Sequence, residues 1–151
     1  MNRTAVNVPA ATTYLDYNAT APLRPQAHAA MVSAMDAVSG GGNPSSVHRA
    51  GRAARRIVED ARAQVAALAA CAPDEVVFTS GGTEANNLAI LGTLASTQVA
   101  RLIVSATEHA SVLDAAHASG ADVSVLSVDG KGLIDLEALT HDLENDPRPA
   151  L

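Results

Sequence analysis

A glycine-rich turn, Ser80-Gly81-Gly82-Thr83, lies between a segment of strand-forming residues and a segment of helix-forming residues. Glycine lets a backbone approach a ligand closely, and a helix N-terminus offers unpaired N–H donors with a favourable dipole. The hydroxyl of Thr83 adds a further donor. This order indicates a phosphate-binding site, although a glycine pair at such a turn also serves tight packing alone. The turn is neither a Walker A loop nor a dinucleotide fingerprint, because the residues and spacing that those motifs require are absent.

Three further residues have types that could do chemistry. His109 precedes a helical segment, where an imidazole either transfers protons or simply bonds to the helix backbone. Lys131 lies between two glycines in a polar turn, so we expect its amine to stay solvated and protonated. Cys71, the only cysteine, follows a helical segment and is expected to be a buried structural thiol. The five histidines show no metal-ligand spacing, so no metal site is predicted.

The elements that must position these residues alternate along the chain. Apolar periodicity predicts strands at 13–17, 75–79, 101–105 and 122–127, and helices at 25–38, 48–70, 84–95, 110–118 and 135–144. Alternation of this kind predicts an α/β fold with a parallel sheet and helices on both of its faces. On the helix 48–70, residues at three- and four-residue spacing predict a core face: Ile57, Ala61, Gln64, Val65 and Leu68. The apolar residues 150 and 151 predict the beginning of a further strand.

Composition excludes several classes of function. The chain of 151 residues is 48% hydrophobic, 17% charged and 2% aromatic, which predicts a soluble globular protein with an aliphatic core. A net charge of −6 argues against nucleic acid as a partner. A single cysteine favours a reducing compartment, and no signal peptide or membrane span is predicted, so a cytoplasmic protein is expected. Acids four residues after arginines predict a salt-bridged helix face: Arg49, Arg52, Arg55 and Arg56, then Glu59 and Asp60.

Four segments resemble, in order, successive motifs of cysteine desulfurases, which belong to the class V aminotransferase group of fold-type I pyridoxal-phosphate enzymes. They are 14–22 (YLDYNATAP), 42–48 (GNPSSVH) with Gly51, 78–89 (FTSGGTEANNLA) and 107–113 (TEHASVL). Gly82 and Ala21 are mild departures from the family pattern. The resemblance implies an incomplete, mainly parallel sheet flanked by helices, the first part of the family's large domain. Residues 1–18 would be an N-terminal segment, part of the small domain in the family, and 19–151 a truncated cofactor-binding large domain.

The resemblance also implies roles for single residues. Gly82 and Thr83 would hold the phosphate of pyridoxal 5′-phosphate, and His109 would stack on the cofactor ring and assist proton transfer. His48 lies in a motif near the family's active site and receives no catalytic role. The implied reaction converts L-cysteine to L-alanine and passes the sulfur, as an enzyme persulfide, to an iron–sulfur scaffold or another acceptor protein. The resemblance further implies a homodimer of the full-length enzyme.

The family's cofactor-bonding lysine and its persulfide cysteine are expected beyond Leu151, so the chain alone is predicted to be inactive. Two other hypotheses remain open. The protein could be another class V enzyme, such as a selenocysteine lyase. Alternatively, it could be a non-catalytic remnant that binds phosphate or a partner protein, with an incomplete sheet prone to pairing with another chain.

Overall fold

The computed structural model describes residues 13–151. It divides the chain into two compact units, Met1–Val76 and Val77–Leu151. Residues 1–12, which form most of the predicted segment 1–18, lie outside the described residues. The predicted boundary between residues 18 and 19 therefore stays a prediction.

The first unit contains two helices, α1 (Pro25–Ala37) and α2 (Arg49–Ala69), followed by a 3-10 turn at Pro73–Glu75. Proline suits the first position of α1 because its fixed φ is already helical and its missing N–H would have had no partner in the helix. At the start of α2, the side chain of His48 accepts a hydrogen bond from the N–H of Gly51 at 3.3 Å. Ala70, the C-cap residue after the helix, has a left-handed φ of 54°. Both predicted helices are confirmed.

The predicted strand at 13–17 is wrong. Tyr14 Oη lies 2.8 Å from the carbonyl oxygen of Asp16 and 2.9 Å from that of Thr20, and the N–H of Thr20 bonds to Asp16 O at 3.2 Å. These bonds form a local turn. Strand-forming composition favours an extended backbone, but a strand also needs a neighbour to pair with, and here the carbonyl groups bond within the turn.

The predicted core face of α2 is wrong at four of its five residues. Ile57 is half-buried, and the exposed residues are Ala61, Gln64, Val65 and Leu68. Leu68 is 89% exposed, whereas the buried residues of the helix are Gly51, Ala54 and Ala66. Periodicity identifies which residues share a face of a helix, but it does not say which part of that face is covered. Gly51 is buried because the backbone at Asn43 and Ser46 approaches the helix closely there.

The expected salt bridges of α2 take a different form. Glu59 pairs with Arg62, at 3.2 Å between Oε2 and Nε. Within the described part of the chain, no ion pair joins Glu59 to Arg55 or Asp60 to Arg56. Long side chains in solvent gain little from such pairing, because water screens the charges and ordering them costs entropy.

The second unit contains α3 (Gly82–Ser96), β1 (Arg101–Ser105), α4 (Ala110–Ala118), β2 (Asp122–Leu126) and α5 (Leu136–Asn145). β1 and β2 are parallel, as predicted, with Arg101 opposite Asp122 and Ser105 opposite Leu126. α3 packs against α4, and α4 contacts β1. Leu102 on β1 is 2% exposed and Ala116 on α4 is fully buried, so the core of this unit lies where these two elements meet.

The last residues extend the sheet beside β1. The N–H of Ile103 bonds to Leu151 O at 3.0 Å, and the N–H of Leu151 bonds to Arg101 O at 3.2 Å. Ala150 forms a parallel bridge with Arg101. The predicted further strand is therefore confirmed in its first residues, on the edge of β1 opposite to β2.

The predicted strand at 75–79 is wrong as an element. Its first residue ends the 3-10 turn, in which the carboxylate of Glu75 accepts a bond from the N–H of Ala72 at 2.7 Å. Val76 is extended, with φ −91° and ψ 122°, but 76–79 does not belong to the two-stranded sheet of the described residues. The local sequence favours an extended backbone, but a β-strand is defined by the backbone hydrogen bonds that it forms with a neighbouring strand.

Candidate functional site

The glycine-rich turn enters its helix earlier than predicted. α3 begins at Gly82, so Gly82 and Thr83 form its first turn, whereas the sequence pattern placed them in the turn before a helix at 84–95. Gly81 is the N-cap residue, with an extended backbone (φ 171°, ψ 177°) and no side-chain capping bond. A Cβ added at Gly81 or Gly82 would meet no atom within 4 Å. The N-terminus of α3 therefore faces open space within its unit.

The donors at this helix end suit a phosphate group. The first N–H of α3 with a backbone partner is that of Ala85, which bonds to Gly81 O at 3.1 Å. Among residues 13–151, no hydrogen bond engages the N–H groups of Gly82 and Thr83. Unpaired N–H groups give a helix N-terminus a partial positive charge, and the exposed hydroxyl of Thr83 lies beside them. A phosphate needs several donors and a positive potential, and this helix end has both.

Glu84 holds the turn in front of the helix. Its Oε2 accepts from the N–H of Ser80 at 2.7 Å and from the hydroxyl of Ser80 at 2.6 Å. These bonds, the hydroxyl first, lower the pKa of Glu84 below its ordinary value. This pair was not predicted from the sequence. A carboxylate in the first turn of a helix with a serine four residues before it is the signal that could have revealed it.

His109 is the N-cap residue of α4, just past the carboxyl end of β1. Its Nδ1 lies 3.0 Å from the N–H of Ser111 and 2.9 Å from Ser111 Oγ. Of the two roles considered for His109, bonding to the helix backbone is the one that Nδ1 has in the structure. Within the described residues Nε2 makes no hydrogen bond, and the ring is exposed. In open α/β sheets, ligands bind at the carboxyl ends of the strands, which is where this imidazole lies.

One side-chain contact connects the two candidate regions. Asn86 on α3 donates from Nδ2 to Ser111 Oγ on α4 at 2.8 Å, across twenty-five positions of sequence. The helix that begins at Gly82 and Thr83 is thereby joined to the side chain that contacts His109. The structure thus brings the predicted site residues into one unit. Asn86 and Ser111 escaped the sequence analysis because no local pattern connects residues so far apart.

The other candidates lie elsewhere. Lys131 is exposed in a turn, as the sequence predicted. Its backbone N–H bonds to Asp129 Oδ1 at 2.8 Å. Cys71 is only half-buried, so the expectation of a buried thiol is wrong; it follows the left-handed end of α2, where the chain turns at the surface. His48 caps α2. In residues 13–151, no three His, Cys, Asp or Glu side chains are grouped to hold a metal ion. None of the helices in that part of the chain has the length and hydropathy that a transmembrane span requires.

Comparison with known proteins gives consistent matches. Residues 13–149 match the family model of aminotransferase class-V. The cysteine desulfurase IscS of Dictyoglomus turgidum is 41% identical over 138 residues, which are 88% of this chain and 34% of that protein. A cysteine desulfurase of a Frankia species is 48% identical over 119 residues, 78% of this chain and 28% of that protein. The X-ray structure of a NifS-like protein from Rickettsia africae matches with a TM-score of 0.71 and 35% identity, over 89% of this chain and 36% of that one. The chain spans about a third of the length of the curated relatives that it matches.

Proposed function

The chain belongs to the aminotransferase class-V family, and from this membership we propose that it forms the phosphate-binding part of a pyridoxal-phosphate-dependent cysteine desulfurase. The family is pyridoxal-phosphate-dependent in general, and the curated relatives above are named cysteine desulfurases. The proposed reaction converts L-cysteine to L-alanine. The sulfur leaves as a persulfide on an enzyme cysteine and passes to an iron–sulfur scaffold or another acceptor protein.

The structural support for this proposal is the open N-terminus of α3, which is joined through Asn86 and Ser111 to His109. In the proposed site, the N–H groups of Gly82 and Thr83 donate to the cofactor phosphate, and the Thr83 hydroxyl adds a third bond. Donors that point outward from a helix end bind an anion without reorganisation. Glu84 bonds to Ser80, so the carboxylate nearest to this cradle is already engaged.

His109 is proposed to stack on the cofactor ring and to hold or move a proton at Nε2. When bound, pyridoxal phosphate supplies an electron sink that stabilises negative charge at the α-carbon of the substrate. The protein supplies the orientation. Nδ1 of His109 is already bonded to Ser111, which limits rotation of the ring and leaves Nε2 as the nitrogen available to a ligand.

The whole enzyme is proposed to use residues 19–151 within its large domain, to work as a homodimer in the cytoplasm, and to have neither nucleic acid nor membrane as a partner. The 151-residue chain alone is proposed to be inactive. Its one lysine, Lys131, lies in an exposed polar turn, where an amine stays hydrated. Formation of alanine and sulfide from L-cysteine by this chain, abolished by Thr83→Ala, would contradict that statement.

Phosphate binding at this site can be tested separately from the reaction of the cofactor aldehyde with amines. Pyridoxine 5′-phosphate lacks the aldehyde that reacts with amines, so it probes the cradle alone. We expect it to shift the amide NMR signals of Gly82 and Thr83 in the ¹⁵N-labelled chain, whereas pyridoxine, which has no phosphate, does not. Thr83→Val removes one hydroxyl donor to a charged group and is expected to weaken binding by about tenfold or more.

The matched control is Thr97→Val at the other end of α3, where the hydroxyl bonds to Thr93 O at 2.6 Å. We expect this variant to bind pyridoxine 5′-phosphate as the wild-type chain does. Equal affinities of the two variants, or shifts that avoid Gly82 and Thr83, would refute the proposed cradle.

A further inference from the structure

A hydrogen-bonded chain of three side chains links α3 to α4. Asn86 Nδ2 donates to Ser111 Oγ at 2.8 Å, and Ser111 Oγ lies 2.9 Å from His109 Nδ1. The N–H of Ser111 also donates to Nδ1, at 3.0 Å. Ser111 is 9% exposed, so water has little access to compete for its hydroxyl. Such a chain fixes hydrogen positions as well as side-chain positions.

The direction of each bond follows from the donors available. Because the amide of Asn86 donates to Ser111 Oγ, the single hydroxyl hydrogen of Ser111 is free to point at His109 Nδ1. Nδ1 then accepts from a hydroxyl and from a backbone N–H. A hydrogen on Nδ1 itself would face the backbone N–H of Ser111, which can only donate, so the proton of the neutral imidazole belongs on Nε2.

We propose that Asn86 and Ser111 are positioning residues that hold His109 in the tautomer with its proton on Nε2. This inference rests on the proposed role of His109 and deepens it, since it states which nitrogen presents a proton to a bound cofactor or substrate. Neither residue needs to touch the cofactor. They act through the imidazole, as hydrogen-bond partners of the far ring nitrogen do in metal-binding histidines.

The tautomer can be measured in the full chain without any cofactor. Long-range ¹H–¹⁵N correlation spectra distinguish the protonated ring nitrogen from the bare one, and His109→Gln identifies the signals that belong to this residue. At about pH 9, where imidazoles are neutral, we expect His109 to be mainly in the Nε2-protonated form. A wild-type ring protonated mainly on Nδ1 would overturn the proposal outright.

Two variants test the two positioning residues. Ser111→Ala removes the hydroxyl donor and leaves the N–H bond. We expect this loss to lower the ratio of the Nε2-protonated to the Nδ1-protonated form of His109 about threefold to tenfold. Asn86→Asp replaces a donor by a carboxylate that attracts the serine hydrogen away from His109, and we expect at least as large a change. Ser96→Ala, which removes a serine hydroxyl bonded to Gly92 O at 2.7 Å near the end of α3, is the matched control.

Each outcome is decisive. If both variants keep the wild-type ratio, the backbone N–H alone fixes the ring and the proposal is wrong. If Ser111→Ala fails to fold, Asn86→Asp and the wild-type spectrum still decide. The spectra contain no cofactor, so they stay informative if the phosphate cradle is refuted. Binding of pyridoxine 5′-phosphate, in turn, does not depend on the tautomer.

Discussion

Arg101 Nη1 lies 2.7 Å from Asp142 Oδ2, although forty-one positions separate the two residues. The arginine is 3% exposed at the first position of β1, and Asp142 lies on α5. The guanidinium also donates to two backbone carbonyl groups, those of Asp146 at 2.6 Å and Arg148 at 3.2 Å. A buried cation is tolerated only when it is paired and hydrogen-bonded, so this contact ties α5 and the turn after it to the sheet.

Asp142→Ala is therefore expected to lower the free energy of unfolding by about 2–3 kcal/mol, because it leaves a buried charge with fewer partners. Urea denaturation followed by circular dichroism measures the change. Glu144→Ala on the same helix removes an exposed carboxylate and is expected to change stability by less than about 0.5 kcal/mol. Equal effects of the two variants would mean that the ion pair contributes nothing specific.

Two glycines should respond to alanine in opposite directions. A Cβ at Gly51 would lie 2.7 Å from Ser46 Cβ and 2.8 Å from Asn43 O, so a backbone segment must move. A Cβ at Gly92, inside α3, meets only Leu88 Cδ1 at 4.0 Å. We expect Gly51→Ala to destabilise by about 1–3 kcal/mol and Gly92→Ala to stabilise by up to about 1 kcal/mol. Thermal unfolding of both variants shows whether each change in stability is positive or negative. A stabilising Gly51→Ala would contradict the close approach of the backbone at Asn43 and Ser46 to Gly51.

The bond between Ser80 and Glu84 should be visible in a titration. The hydroxyl of Ser80, and then its N–H, lower the pKa of Glu84 below 4.5, so this group contributes stability above that pH and loses it as pH falls through the lowered pKa. Ser80→Ala removes the hydroxyl bond and is expected to raise the pKa of Glu84 toward 4.5. Carboxyl ¹³C NMR titration measures it, with Ser96→Ala as the control. An unchanged titration in Ser80→Ala would contradict the contact.

Asp146 should make stability fall in acid. Hydrogen bonds from the side chain and then the N–H of Arg148 lower the pKa of Asp146 from 3.8 to about 2. A lowered folded-state pKa gives stability that is present above 3.8 and is lost as the pH falls through about 2. We expect the urea midpoint of the wild-type chain to decline in this range, and Asp146→Asn and Arg148→Ala to flatten the decline. If the urea midpoint of both variants declines with falling pH as steeply as that of the wild-type chain, the pair of Asp146 and Arg148 does not contribute to the acid sensitivity of folding.

The amino-acid sequence by itself determined the elements whose causes are local. Pro25 at the start of α1 and the strand-forming residues of β1 act over a few positions, and the predicted bounds are met within about two residues at every helix and at both paired strands. The alternation of strands and helices was sufficient to predict parallel pairing. The motifs 78–89 and 107–113 also identified the segments that form the candidate site, although the roles of Gly82, Thr83 and His109 remain proposals.

Only the tertiary structure decided which distant residues meet. The contact of Asn86 with Ser111 and that of Arg101 with Asp142 depend on how helices pack, and no rule of three- or four-residue spacing reaches so far. The same limit explains the errors. Segments 13–17 and 75–79 contain strand formers, but a strand exists only where a neighbour pairs with it. Leu68 follows the helical period and is exposed, because periodicity defines a face while packing determines what covers it.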